Sequence, residues 1–413
     1  MKSERLYSRI IVSKKGERWS DTGHPWIYDS DVISVPQDLL QEEMNGCLVD
    51  AVSETGKYLG TGFYSRYSKI KVRLISRNAN DRFGEDFWLR RITYALDYRL
   101  TVMNGDTDAM RLIFGEADGF PGLTVDKFHD VIVAQVLSIG IEKIKHVIFP
   151  LLLQELAKRD LTVRGIYERN DVAIRDLEGM QQYKGWFEVE GVEHGDSTET
   201  EITENGVRYL VDFENGQKTG FFLDQKYNRL AVAKLAKGKR VLDCFTHTGS
   251  FALNAAMGGA AHVTAVDISQ MAVDMARKNA ERNHLDDRMD FVAADVFDLL
   301  PSLIEKGGHP YDLIILDPPA FTKSRKTADN AERGYKEINF RAMKLLPRGG
   351  YLATASCSHF MPYVRFEKML QSAARDAGVE LKQIEMRQQG PDHPILWNVP
   401  ETDYLKFYLF QVI

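Results

Sequence analysis

Between Lys239 and Val412, short apolar runs alternate with segments of helical periodicity, and this alternation leaves few folds open. Lys239–Phe245, His262–Asp267, Met289–Ala293, Tyr311–Leu316 and Tyr351–Ala355 have the length and content of buried strands. Gly249–Met257, Ser269–Asn283, Val296–Glu305 and Ala331–Leu346 read as helices; in the second, Ala272, Met275, Ala276 and Ala280 share one face. A crossover helix returns the chain to the same end of a sheet, so strands joined in this way pair in parallel. The last two runs, Leu381–Arg387 and Tyr404–Val412, are joined only by a loop and are expected to pair antiparallel. The expected class is α/β: a doubly wound, seven-stranded sheet with an antiparallel closing hairpin.

At 413 residues the chain exceeds what one core organises, and outside this region its character changes twice. Residues 1–77 carry short strands, Arg9–Val12, Cys47–Val52 and Tyr58–Tyr64, separated by frequent glycines, which is a small β-barrel pattern. From Arg66 to Arg77 there are five basic residues and no acidic one, although the net charge is -6. Lys69, Lys71 and Arg73 alternate with Ile70, Val72 and Leu74; on a strand this gives a cationic face over an apolar one, a candidate contact for RNA phosphates. Residues 78–200 read as an α+β domain with helices Phe87–Met103 and Ile141–Arg159 and strands His129–Leu137 and Gly165–Tyr167. There Asp118, Asp126 and Arg169 are expected to make local hydrogen bonds. The acidic tract Glu188–Glu204 reads as a hairpin or linker before a third domain, 201–413. Cys47, Cys244 and Cys357, odd in number and widely spaced, argue against a disulfide framework or a thiolate metal site, so a reducing, cytoplasmic setting is expected. No run reaches the roughly 18 apolar residues of a membrane span. The apolar stretch Val147–Leu156 leaves room for a homodimer contact.

Ligands of open α/β sheets bind outside the carboxyl ends of the strands, and the chemistry-bearing residues of this chain fall there. The first strand runs into Asp243-Cys244-Phe245-Thr246-His247-Thr248-Gly249-Ser250-Phe251. A lone Gly249 does not make the three-glycine turn that a pyrophosphate needs, so a dinucleotide is disfavoured. Asp267 closes the second strand, where a carboxylate can accept from a ribose diol; Asp295 follows the third, in reach of an exocyclic amine. After the fourth comes Asp317-Pro318-Pro319-Ala320-Phe321, and forty residues beyond Asp317 the fifth ends in Ser356-Cys357-Ser358. A carboxylate, a proline-stiffened loop and a thiol are therefore expected at one cleft.

These segments resemble motifs I to IV of the S-adenosylmethionine-dependent methyltransferases with a Rossmann-like class I domain. With Gly23-His24-Pro25-Trp26-Ile27-Tyr28 and Lys218-Thr219-Gly220-Phe221-Phe222-Leu223-Asp224-Gln225, the chain as a whole resembles bacterial large-subunit rRNA cytosine-C5 methyltransferases that open with a PUA-type RNA-binding domain. The resemblance implies S-adenosylmethionine as cofactor and large-subunit rRNA as partner. It implies that Phe222, Gln225, Phe245, Gly249, Asp267, Asp295 and Asp317 surround the cofactor, and that Cys357 is the nucleophile.

A thiolate suits that chemistry because C5 of cytosine is a poor nucleophile until a group adds at C6. Asp317 or a carbonyl of the Pro318-Pro319 loop can serve N3; Lys323 or His359 can supply positive charge to the thiol. The better-known RNA cytosine-C5 enzymes carry a second cysteine beside the proline of the fourth motif, and this chain has Ala320 there. Three other readings are weighed at this point: a base N-methyltransferase, in which Cys357 is dispensable; a protein or small-molecule methyltransferase, which leaves the basic strand and PUA-like domain without a purpose; and a cofactor-binding RNA assembly factor without turnover.

Overall fold

The computed structural model describes residues 7–322 and 325–413. They form two units that are not contiguous in sequence. One holds the chain through Ile202 together with Val211–Phe221 and Pro391–Thr402; the other holds Thr203–Leu210, Phe222–Gly390 and Asp403–Ile413.

The first unit contains two sheets. Strands Arg9–Val12, Trp26–Tyr28, Val32–Ser34, Leu48–Ser53, Tyr58–Tyr64 and Ile70–Ser76 make a six-stranded sheet around a core of Ile10, Val12, Ile27, Leu39, Val49, Val72 and Leu74. The antiparallel strands approach so closely at Gly62 that a Cβ there would lie 2.2 Å from the Arg73 carbonyl oxygen. The second sheet has five strands, Ala109–Phe114, Leu123–Phe128, Val131–Val136, Ile166–Arg169 and Lys184–Phe187, with helices Glu85–Met103 and Ile139–Ala157. Much of the apolar stretch at 147–156 turns inward, with Ile148, Phe149, Leu152 and Leu156 fully buried. Asp118 is paired with buried Arg99, but Asp126 lies in a strand and holds Arg111 and the distant Thr219 hydroxyl, so its bonds are not the local ones expected. Arg169 donates to the Phe213 and Gly216 carbonyls and pairs with Asp171.

The second unit is the α/β domain. Its strands are β1 (Arg240–Cys244), β2 (His262–Asp267), β3 (Met289–Ala293), β4 (Leu313–Leu316), β5 (Tyr351–Ser356), β6 (Leu381–Arg387) and β7 (Lys406–Val412). Its helices are α1 (Lys226–Ala236), α2 (Ser250–Met257), α3 (Gln270–Arg282), α4 (Val296–Lys306), α5 (Ala328–Leu345) and α6 (Tyr363–Ala377). The order across the sheet is β3-β2-β1-β4-β5-β7-β6, with β1 to β5 parallel and β7 antiparallel to both β5 and β6. β4 reads Leu-Ile-Ile-Leu and is buried at every position, as a central parallel strand with both faces covered must be. The order reverses between β1 and β4, which creates the crevice where such sheets take ligands.

Candidate active site

Register brings the carboxyl ends of the strands level. Cys244 of β1 pairs with Val266 of β2 and Leu316 of β4, Asp267 pairs with Ala293 of β3, and Leu316 pairs with Thr354 of β5. Asp295, Asp267, Phe245, Asp317 and Cys357 therefore follow one another along a single edge, in the order the strands impose.

The loop after β1 is held in an unusual conformation. Phe245 and His247 both have positive φ, 66° and 50°, and Gly249 has φ 84° at the cap of α2. A Cβ at Gly249 would meet the Ala276 Cβ of α3 at 3.0 Å, so the glycine answers to backbone conformation and helix packing, a stricter demand than the ligand approach expected from sequence. Asp267 braces the loop by accepting from the backbone N–H of His247 and of Ser269, each at 3.0 Å. The Phe222 ring meets the His247 ring edge-on at 5.3 Å, and burial pulls the His247 imidazolium down, which favours the neutral ring. Asp295 caps α4 by accepting from Phe297 N–H at 2.8 Å and keeps lone pairs for a ligand donor.

Two buried networks fix the next residues. Gln225 donates from Nε2 to Asp317 Oδ1 at 3.0 Å and accepts at Oε1 from Asn228 Nδ2 at 2.6 Å; Arg387 donates to Asn228 Oδ1 at 3.0 Å. This chain from β6 through α1 orients the Gln225 amide so that it presents a donor to the Asp317 carboxylate. Arg229 makes a bidentate pair with Glu204 at 2.6 and 2.8 Å, both side chains buried, and donates to the Phe222 carbonyl at 2.6 Å. At the end of β1, Asp243 is fully buried: Oδ2 accepts from Thr246 Oγ1 at 2.6 Å and Ala252 N–H at 2.9 Å, while Oδ1 has no partner among the described residues. Burial pushes its carboxyl up to about 7, with Asp317 and Asp267 adding to the rise. The Thr248 hydroxyl is likewise buried without a partner. Orphaned polar atoms beside two ordered carboxylates suit a ligand that carries cationic and hydroxyl groups.

Cys357, half-buried and outside any disulfide, lies just past β5. Phe321 packs against Phe245, Phe297 and Tyr335, and burial keeps the Tyr335 hydroxyl protonated. Of the two cations expected near the thiol, Lys323 lies outside the described residues, and His359 is exposed with its ring against Phe360. A third stands opposite: Lys406, the first residue of β7, pairs in register with Ser356, and its ammonium donates to the Ser358 carbonyl at 2.7 Å and the Tyr404 carbonyl at 2.8 Å. Sequence reading passed over it because it sits in an otherwise apolar strand. A lysine at the mouth of such a buried run is the signal that could have marked it.

In the first unit, Lys71 and Arg73 alternate with Val72 and Leu74 as expected, but their charges are engaged. Arg73 pairs with Glu178 at 2.8 Å and Glu116 at 3.7 Å, and Lys71 with Asp29 at 3.3 Å. Lys69 is exposed and precedes the strand. The continuous cationic face read from sequence is thus largely neutralised by carboxylates from elsewhere in the unit.

A family model described as S-adenosylmethionine-dependent methyltransferase matches residues 175–411, and one described as a PUA-like domain matches 10–77. Ribosomal RNA large subunit methyltransferase I of Aeromonas salmonicida is 43% identical over 404 residues, 96% of this chain and 97% of that protein. The same-named protein of Klebsiella pneumoniae is 38% identical over 413 residues, all of both chains. The chain belongs to this methyltransferase family. Its amino-terminal sheet is the PUA-like domain, its second unit is the Rossmann-like class I domain, and its cofactor is S-adenosylmethionine. A solved Streptococcus mutans structure, assigned to the same cofactor class, shares the fold at 23% identity with a TM-score of 0.80, covering 98% of this chain and all of that one. Among the described residues no helix is long and apolar enough to cross a membrane.

Proposed function

We propose that the chain methylates C5 of a cytosine in large-subunit rRNA through a covalent adduct between Cys357 and C6, working in the cytoplasm. The observation that carries this reading is the half-buried thiol of Cys357 at the end of β5, beside the Asp317-Pro318-Pro319 loop at the end of the neighbouring strand β4. The relatives' name supports the rRNA substrate. In this proposal residues 1–77 and 78–200 hold RNA, with exposed Lys69 touching phosphate ahead of the engaged Lys71 and Arg73, and residues 201–413 perform the chemistry.

When bound, S-adenosylmethionine supplies an electrophilic methyl on a sulfonium. The residues that would hold it are Phe222, Gln225, Phe245, Gly249, Asp267, Asp295 and Asp317, with Asp243 and Thr248 now added on the strength of their orphaned atoms. Cys357 loses its proton to solvent and forms the S–C6 bond; the C5–C6 π electrons move into the C4–C5 bond as N3 takes up a proton from solvent, which the Asp317 carboxylate holds by a hydrogen bond, leaving C5 electron-rich. Once C5 carries the methyl, loss of the C5 proton lets the S–C6 bond break and the thiolate return. The target base must leave its stack, at a cost of a few kcal/mol. The N-methyltransferase alternative asks for an aromatic residue to stack on the base after the prolines, whereas Phe321 is packed against Phe245, Phe297 and Tyr335.

Nucleoside mass spectrometry of rRNA from a strain lacking this protein, incubated with S-adenosylmethionine and enzyme, tests the proposal. The expected result is 5-methylcytidine with wild type and none with Cys357→Ala. A different methylated base, made equally well by the variant, overturns it.

A further inference from the structure

We propose that Lys406 is the positioning residue that holds Cys357 as a thiolate. This deepens the reading above and rests on Cys357 being the nucleophile. Lys406 is 2% exposed, and among the described residues no carboxylate lies within ion-pair distance of its ammonium. A buried cation without a counter-ion is costly. Two of its three N–H groups are satisfied by neutral carbonyls, those of Ser358 and Tyr404, which leaves one donor over. The Ser358 carbonyl belongs to the residue directly after the thiol, and the register of β7 on β5 sets Lys406 opposite Ser356, the residue directly before it. The ammonium is thereby tied to the backbone on the far side of Cys357, while the Lys406 backbone is registered against the residue on its near side. The anion that this arrangement leaves unfilled is the thiolate.

Among the described residues, one other acid, Asp403, also favours the charged form of Lys406. Asp317, on the neighbouring strand end, opposes a thiolate, so the cation has that repulsion to overcome. On α5 and α6, burial keeps the hydroxyls of Tyr335 and Tyr363 protonated, and Asp403 is engaged with the Tyr363 hydroxyl at 3.0 Å. Tyr404 gives its hydroxyl to Asp224 at 2.7 Å. His359 is exposed. Burial pulls the Lys406 ammonium down to about 8, while the charges of Cys357 and Asp403 each pull it back up.

The test is the pH profile of iodoacetamide alkylation of the full-length protein, read by mass spectrometry on the peptide that carries Cys357. It needs no RNA and no turnover. Lys406→Gln keeps a hydrogen-bond donor and removes the charge; Lys406→Arg restores charge. The inflection is expected to rise by about one unit in Lys406→Gln, which cuts the thiolate fraction at pH 7 about tenfold. A more basic thiolate is about threefold more nucleophilic, so net alkylation at pH 7 slows about threefold while the high-pH plateau rises about threefold. Lys406→Arg is expected to move the profile back. A folded Lys406→Gln whose profile lies on the wild-type curve overturns the proposal. If that variant does not fold, the wild-type inflection decides, because a value at or above the ordinary thiol value of about 8.5 overturns it and a lower one supports it. Methyl transfer by Cys357→Ala would remove the nucleophile reading but leave this profile unchanged, so the two failures are told apart.

Discussion

Replacing Asp243 with asparagine should change how stability depends on pH, in a direction set by burial. The carboxyl is 0% exposed and is pushed from 3.8 up to about 7. In the window between those values the folded protein keeps a proton that the unfolded chain releases, so stability falls as pH rises through it and is level above about 7. About three units at 1.36 kcal/mol each make this loss about 4 kcal/mol, a large share of the 5–15 kcal/mol typical of a domain. An asparagine oxygen can accept the same two bonds, from Thr246 Oγ1 and Ala252 N–H, and does not titrate. Urea denaturation of wild type and Asp243→Asn without cofactor, at half-unit steps from pH 4 to 8, should show the stability difference shifting toward the variant by about 4 kcal/mol. The difference cancels every other titrating group. If it stays constant across the range, the carboxylate is already ionised at pH 4 in the folded protein and the reasoning from desolvation fails.

Arg229→Met leaves Glu204 buried without its partner and should cost about 3–5 kcal/mol; adding Glu204→Leu should recover most of it in the same urea assay. Gln225→Leu removes a hydrogen bond to a charged acceptor, worth about 1.5–3 kcal/mol, so incorporation of labelled methyl should slow about ten- to a hundredfold if Asp317 serves the base as proposed. Lys69→Gln should weaken RNA binding and lower the slope of log affinity against log salt by about 0.7, whereas Arg73→Gln should lower the melting temperature through the unpaired Glu178 and leave that slope nearly unchanged. Fluorescence anisotropy across a salt series and thermal melts separate the two.

The α/β half was legible because each strand and helix carries its own periodicity. β1 to β7 fall within a few residues of their expected positions, and the strand-end carboxylates follow from the strands. The first half was less so. Ala109–Phe114 and Lys184–Phe187 are strands that the sequence reading left unassigned, the first with Arg111 at its centre and the second opening on Lys184 and Gly185, which break the apolar signal. The engagement of Arg73 was invisible because Glu116 and Glu178 are distant in sequence, and no local pattern announces an ion pair across that separation. The same holds for Asn228 and Arg387, which act on Asp317 through Gln225, and for Lys406, which holds the Ser358 carbonyl next to Cys357. For Gly249 the sequence reading could not see its neighbour in space, Ala276.

The excursion of Pro391–Thr402 into the first unit sets an order of manufacture. Asp392 receives the Arg111 N–H on its carboxylate at 2.9 Å and Arg99 Nη2 on its carbonyl at 3.0 Å, so two arginines wait for a residue made 281 and 293 positions later. The first unit is therefore completed only after the strands of the second unit through β6 have been made. A message cut short after Gly390 would lack β7 and Asp392 alike, so neither the sheet nor the first unit would be finished, and the product is expected to be open to proteolysis.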